Sequence, residues 1–389
     1  MHSKLPDVGT TIFTVMSRRA AETGAINLGQ GFPDYPVDAR LGELMADAMR
    51  EGHTQYAPMP GVPLLLQSIA ARLEARYGLG VDPQQSITIT LGATEAIYST
   101  IQALVGPGEE AIVFDPCYDS YDPSISLAGA RCIHIPMAPP AFHYDWDRVK
   151  AAINARTRLI VINSPQNPSC TVLREGDLDR LAELIDGRDI RVLSDEVYEH
   201  IVYPGNVHRS VLGHAALRPK AVAVYSFGKA LHATGLRVGF AVAPPELTVE
   251  LRKVHQFNTF TIATPLQHAI ARFLGERPEA LSGLSAFFLQ RHDLLAGLLA
   301  GSGLRVQRSQ GTYFQLFDYS GCERLAGLDD VSAANRLLDE AGVATIPLSP
   351  FYQSPPKHSL LRLCFAKREE TLREAARRLV AFDAGGAAR

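Results

Sequence analysis

The chain is poor in the features that would mark it as secreted, membrane-bound or nucleic-acid-binding. Its 389 residues include only five cysteines, Cys117, Cys132, Cys170, Cys322 and Cys364, odd in number, widely spaced and without a CxxC pair. That argues against a disulfide framework and a zinc finger, and makes a reduced, cytoplasmic compartment the expectation. The twelve histidines show no HExxH or similar spacing, so no metal is expected, and His200, His232 and His255 read as structural. Apolar runs are short: Ala111-Ile112-Val113-Phe114 falls well below the ~20 residues of a membrane span. No apolar core follows Met1-His2-Ser3-Lys4-Leu5-Pro6-Asp7, so no secretory leader is expected. A net charge of -3 without long runs of one sign argues against nucleic acid as a partner. Neither GxGxxG nor a Walker A pattern occurs, which disfavours a nicotinamide dehydrogenase.

What is present is an apolar chain, 46% hydrophobic, long enough for two or three domains. No internal repeat occurs, and only the tail at 384–388 is low in complexity and expected to fray. Short apolar or β-branched runs at 87–90, 111–114, 158–162, 190–193 and 221–225 read as strands of a parallel sheet buried on both faces. Helical patterns at 94–105 and 175–186 lie between them. The alternation predicts an α/β fold, a mainly parallel sheet between helices. After a helical stretch at about 245–300, strands recur at 311–317, 343–348 and 360–365, with helices at 329–341 and 370–382. This predicts a smaller α+β domain over 286–389 beside a large domain over 41–285. Residues 1–40 carry no sheet of their own in this reading and pack on the small domain.

Unusual polar residues gather where these strands end. Tyr118 follows the second, Asn167 the third, Asp195 and Tyr198 the fourth, and Ser226 and Lys229 the fifth. Open α/β sheets bind ligands beyond the carboxyl ends of their strands. Each residue alone admits a bland reading; together they predict a site. Gly92-Ala93-Thr94-Glu95 can open a helix whose free N–H groups meet a phosphate, or be a plain capped helix. A lysine in Ser226-Phe227-Gly228-Lys229 can form a Schiff base if burial lowers its pKa, or lie exposed on a loop. Ser226 and Arg237 could both meet the same phosphate. Asp195, part-buried, wants a cation such as a pyridinium nitrogen, or caps a helix. Arg362, inside Leu360-Leu361-Arg362-Leu363-Cys364-Phe365, wants an anion such as an α-carboxylate, or an internal ion pair.

At these residues the chain resembles the class I aminotransferases of pyridoxal-phosphate fold type I, over about residues 6–382. The stretches that carry the resemblance are INLGQGFPD (26–34), FDPCYDSY (114–121), SDEVYEHI (194–201), SFGKALHATGLRVGF (226–240), IPLSPF (346–351) and LRLCFAK (361–367). GTTIFTVMS (9–17) and QYAPMPG (55–61) are most similar to the bacterial methionine aminotransferase subgroup, relatives of the kynurenine/glutamine transaminases. One departure stands out: the family's Asn-Pro-Thr-Gly turn reads Asn167-Pro168-Ser169-Cys170, which puts that turn's conformation in question.

The resemblance implies a fold of a large domain, with a seven-stranded sheet, and a small domain. It implies pyridoxal 5′-phosphate as cofactor, Lys229 as the residue that binds it and moves the proton, and Asp195 at the pyridine nitrogen. Asn167 and Tyr198 would contact the ring hydroxyl and Tyr118 would stack on the ring. Ala93, Thr94, Ser226 and Arg237 would hold the phosphate, with Tyr56 from the second subunit of a homodimer. Arg362, Asn167 and the Gly31 backbone would bind the substrate carboxylate, and Phe13 would wall its side-chain pocket. The implied reaction moves an amino group from a large uncharged or aromatic L-amino acid to a 2-oxo acid by a ping-pong cycle. Cysteine-conjugate β-lyase or kynurenine/glutamine transaminase activity is the alternative on the same scaffold. A ligand-sensing module of a transcription regulator is disfavoured, since the ~40 residues before the sheet are too few and not basic enough for a DNA-binding domain.

Overall fold

The computed structural model describes residues 3–386. Of the tail expected to fray, 387 and 388 lie outside the described residues, while Ala384 and Gly385 form a turn after the helix Glu369–Asp383.

The strands in chain order are β1 (Ile26–Asn27), β2 (Ile87–Thr90), β3 (Glu110–Asp115), β4 (Arg131–Pro136), β5 (Thr157–Asn163), β6 (Arg191–Asp195), β7 (Ala221–Ser226), β8 (Gly239–Val242), β9 (Arg305–Val306), β10 (Phe314–Asp318), β11 (Val343–Ala344), β12 (Ile346–Pro347) and β13 (Leu360–Cys364). Seven of them form one sheet in the order β2-β8-β7-β6-β5-β3-β4. Only β8 runs against its neighbours. The apolar runs alternate between two packed layers: Ile112, Phe114, Ile160, Ile162 and Val192 join one core, Val113, Val161 and Leu193 the other. A strand buried on both faces must be apolar at every position, which is why these runs read as unbroken hydrophobic stretches. The helices Gly92–Leu104 and Pro245–Asn258 cover the second face.

Two strands of this sheet escaped the sequence reading. β4 is the edge strand, partly exposed and carrying Arg131, Cys132 and His134, so it lacks the apolar signature. β8 opens on a glycine. There Gly239 is required by packing, because a Cβ would meet Gly92 C and Ala93 N at 2.6 Å.

The C-terminal sheet has the order β12-β13-β10-β9. The single strand expected at 343–348 is in fact two: β11 pairs with β1, and β12 pairs with β13. The chain changes partners at Thr345. The expected sheet-free N-terminal segment therefore needs correcting. Ile26–Asn27 forms a two-residue parallel strand with Val343–Ala344, and Cys364 N–H donates to Leu28 O at 2.7 Å. The segment is stitched to the C-terminal part of the chain by backbone bonds as well as by side-chain packing.

Candidate active site

Because β5, β6 and β7 are parallel neighbours, their carboxyl ends align, with Asn163 level with Asp195 and Asp195 level with Val224. The polar residues that follow these strands converge on one cavity. Asn167, Asp195, Tyr198, Ser226 and Lys229 line it, together with Ala93, Thr94, Tyr118 and Arg237 from neighbouring elements.

One end of the cavity is built for an anion. The helix starts at Gly92, two residues before the expected Thr94, and its first turn leaves backbone N–H groups without intrahelical acceptors. Thr94 does not cap it; Glu95 instead reaches back, its Oε2 accepting from Leu91 N at 3.2 Å. Gly92 sits at φ +70°, and a Cβ there would lie 2.9 Å from Arg237 Nη2. The Arg237 guanidinium thus lies against the helix start and donates to Thr94 Oγ1 at 3.3 Å. Two glycines, a helix N-terminus and a cation make a cradle of phosphate size and charge.

The same cavity carries an acid. Asp195 is buried, and burial pushes its pKa up to about 6. The sequence reading offered it only a cation or a helix cap. The structure adds Tyr121, whose hydroxyl donates to Oδ2 at 2.7 Å, while Val197 N–H reaches Oδ1 at 3.3 Å. Tyr121 was missed because it sits three residues after Tyr118, buried at the start of the helix Tyr121–Leu127. An apolar-facing tyrosine gives no sequence signal until its hydroxyl is seen to meet a carboxylate.

Lys229 lines the same cavity, half-buried on the short helix Phe227–Ala230. Burial, with the nearby Arg237 and Arg362 charges, pushes its ammonium down to about 8 against the opposing pull of Cys364 and Asp195. Nζ sits 5.8 Å from the centre of the Tyr198 ring and 5.7 Å from that of Tyr313, a second tyrosine not foreseen.

Arg362 is 0% exposed on β13. The alternative of an internal ion pair fails: among the described residues its hydrogen bonds go to Asn167 Oδ1 (Nη1, 2.6 Å) and Gly29 O (Nη2, 2.8 Å). Nε has no partner there. The guanidinium lies 3.9 Å from the Phe314 ring centre and 5.0 Å from that of Phe13. Phe13 packs on Phe351 at 5.5 Å. Gly31 is held nearby, its carbonyl accepting from Tyr313 Oη at 2.8 Å, and a Cβ at Gly31 would collide with Phe314 Cζ at 2.6 Å. In the Asn167–Cys170 turn, Cys170 adopts φ +64° itself, so the left-handed position is filled without the family's glycine.

Tyr56 does not join the cavity. It is 83% exposed and packs only edge-on against Phe260 at 5.4 Å.

Pyridoxal 5′-phosphate, the group the sequence resemblance implies, fits these residues. The cradle at Gly92 and Gly239 suits its phosphate, the buried Asp195 carboxylate its pyridine nitrogen, and the Lys229 amine, its pKa lowered by burial, its aldehyde.

The model of the family described as aminotransferase class I and II matches residues 23–379. The methionine aminotransferase of Escherichia coli (strain K12) is 48% identical over 97% of this chain and 97% of its own. The solved structure of YbdL from Escherichia coli, reported with a methionine aminotransferase function, superposes with a TM-score of 0.94 over 97% of this chain and 98% of its own, at 48% identity. Kynurenine–oxoglutarate transaminase 1 of Homo sapiens is 30% identical over 91% of each chain.

Proposed function

Since the chain belongs to the class I and II aminotransferases, enzymes that use pyridoxal 5′-phosphate, we propose that it moves the amino group of a large uncharged L-amino acid, methionine foremost, to a 2-oxo acid. When bound, the cofactor supplies an electron-accepting ring. In this reading Asp195 holds a proton at the ring nitrogen, steadied by Tyr121. Tyr118 stacks on the ring, and Asn167 and Tyr198 meet its hydroxyl. Ala93, Thr94, Ser226 and Arg237 hold the phosphate. The Lys229 amine would take a proton from the substrate α-carbon and give it back to complete the transfer. A pKa near 8 leaves enough neutral amine for that at neutral pH.

One observation carries the substrate class: a fully buried guanidinium with a spare N–H, beside two aromatic rings. A buried charge of this kind calls for an anion, and a planar fork suits an α-carboxylate. The Phe13–Phe351 wall beside it suits an apolar or thioether side chain. Aromatic donors such as kynurenine are a second reading, favoured by the same wall.

A panel of amino acids with several 2-oxo acid acceptors, read by product mass, tests the proposal. Methionine and aromatic donors should give full-length oxo acids. A clear preference for aspartate sinks it, and pyruvate plus free thiol from cysteine conjugates marks the β-lyase instead. The reading extends to a division into 1–40, 41–285 and 286–389, to a homodimer that supplies Tyr56, and to a cytoplasmic enzyme. Free cysteines support the last point, and no helix is long and apolar enough to cross a membrane among the described residues.

A further inference from the structure

At the outer edge of the seven-stranded sheet, β4 carries Cys132 and His134 two residues apart, hence on one face of the strand. The helix Tyr121–Leu127 between β3 and β4 brings Asp122 over that face. A sulfur, an imidazole nitrogen and a carboxylate oxygen from Cys132, His134 and Asp122 lie within 4.8 Å of one another. No sequence signature announces this, because the third member arrives from a different element.

A second carboxylate orients the ring. His134 Nδ1 lies 2.8 Å from Asp115 Oδ1, and Asp115 is itself buried, with Oδ2 accepting from Gln353 N at 2.7 Å. A proton shared on that side leaves Nε2 as the lone-pair nitrogen. The His134 side chain is only 7% exposed, and Nε2 has no hydrogen-bond partner among the described residues. Its nearest carboxylate oxygen, Asp122 Oδ2, is 3.5 Å away. That is long for an N–H···O bond, which peaks near ~2.9 Å. It is close to the roughly 3.4 Å that separates nitrogen and oxygen donors on one tetrahedral zinc.

We propose that Asp122, Cys132 and His134 bind a divalent transition-metal ion of the zinc type, with Asp115 orienting His134 and water completing the shell. One sulfur, one nitrogen and one oxygen donor favour zinc over magnesium or calcium. A carboxylate behind the ligating histidine is the usual support of such sites. The Asp122 side chain, 48% exposed, gives the ion its way in. The ion would tie β4 to the helix whose first residue, Tyr121, holds Asp195.

The rival arrangement is an imidazolium lodged between Asp115 and Asp122. Burial opposes that charge, yet the neighbouring Asp115, Asp122 and Cys132 groups outweigh it and push the pKa up to about 12. Cys132 adjoins the ring in both arrangements; they differ in whether its sulfur bonds to a metal ion. Cys117 lies near Asp115 and His134 as well, but at a nitrogen already engaged, and serves as the control.

The test uses tag-free, cofactor-loaded enzyme, stripped by a chelator and titrated with Co²⁺, then with Zn²⁺ in competition. One equivalent of Co²⁺ should bind with a thiolate charge-transfer band, and Zn²⁺ should displace it. Cys132→Ser should remove the band. Asp122→Asn, at a half-exposed side chain whose loss leaves the core intact, should weaken binding at least about ten-fold, and Asp115→Asn by roughly ten- to a hundred-fold. Cys117→Ser should change nothing. Absence of stoichiometric binding overturns the proposal. So does a band that survives Cys132→Ser, or one that depends on Cys117 instead.

Discussion

Arg362 Nη1 donates to Asn167 Oδ1 at 2.6 Å, joining the C-terminal sheet to the turn that follows β5 of the seven-stranded sheet. The proposed carboxylate site is therefore built across two sheets. Neither sheet holds it alone.

Replacing Arg362 by Ala should lower kcat/KM for all amino acids by the equivalent of ~2–5 kcal/mol, the cost of losing one partner of a buried charge pair. The visible band of bound cofactor should persist, since Arg362 is not among the residues that line its cavity. Arg362→Lys should recover only part of the loss, because an ammonium cannot offer a planar fork. Unchanged efficiency in Arg362→Ala would falsify the carboxylate role.

Tyr121→Phe removes the hydroxyl that donates to Asp195 at 2.7 Å and leaves only the longer Val197 N–H bond. That hydroxyl favours the charged carboxylate, so its loss moves the Asp195 pKa further above its ordinary range. Cofactor affinity should fall by about 1.5–3 kcal/mol, as for a hydrogen bond to a charged group. Titrating the apoenzyme with pyridoxal phosphate measures it, and equal affinities in the two proteins would show that Asp195 needs no such support.

Lys229 has its pKa lowered from 10.5 to about 8, with burial the largest cause. Only the neutral amine attacks an aldehyde. The rate at which apoenzyme takes up the cofactor should rise about ten-fold per pH unit below 8 and level off above it. The native apoenzyme gives up this proton before the unfolded chain does, so folding stability should also rise between pH 8 and 10.5. A flat uptake rate across pH 8 contradicts the assignment. Borohydride reduction followed by peptide mapping should find the cofactor on Lys229, and an adduct on another lysine defeats the whole site.

Tyr56, 83% exposed in the single chain, is expected to act on the partner's cofactor phosphate. Lys229→Ala and Tyr56→Ala, each folded and impaired, are mixed and allowed to exchange subunits. If Tyr56 acts in trans, half the sites in a mixed dimer carry neither lesion, and activity rises well above both parents. No recovery, with subunit exchange demonstrated, refutes the shared site.

The sequence by itself determined the α/β class, five of the seven strands in the main sheet, and the polar residues beyond their ends. Strands buried on both faces must be apolar throughout, and a lysine, an aspartate or an arginine in such company is visible at once. Edge and short strands stayed hidden for the complementary reason. β4 needs no unbroken apolar run, and β1 is two residues long, recognisable only once it pairs with β11. The partners of the conspicuous residues were equally silent. Tyr121 beneath Asp195 and Asp122 above His134 each come from a different element than the group they meet, and Asn167 was placed near Arg362 only through the family resemblance. Local sequence sets which side chains are costly to bury; only tertiary packing decides which distant group offsets that cost.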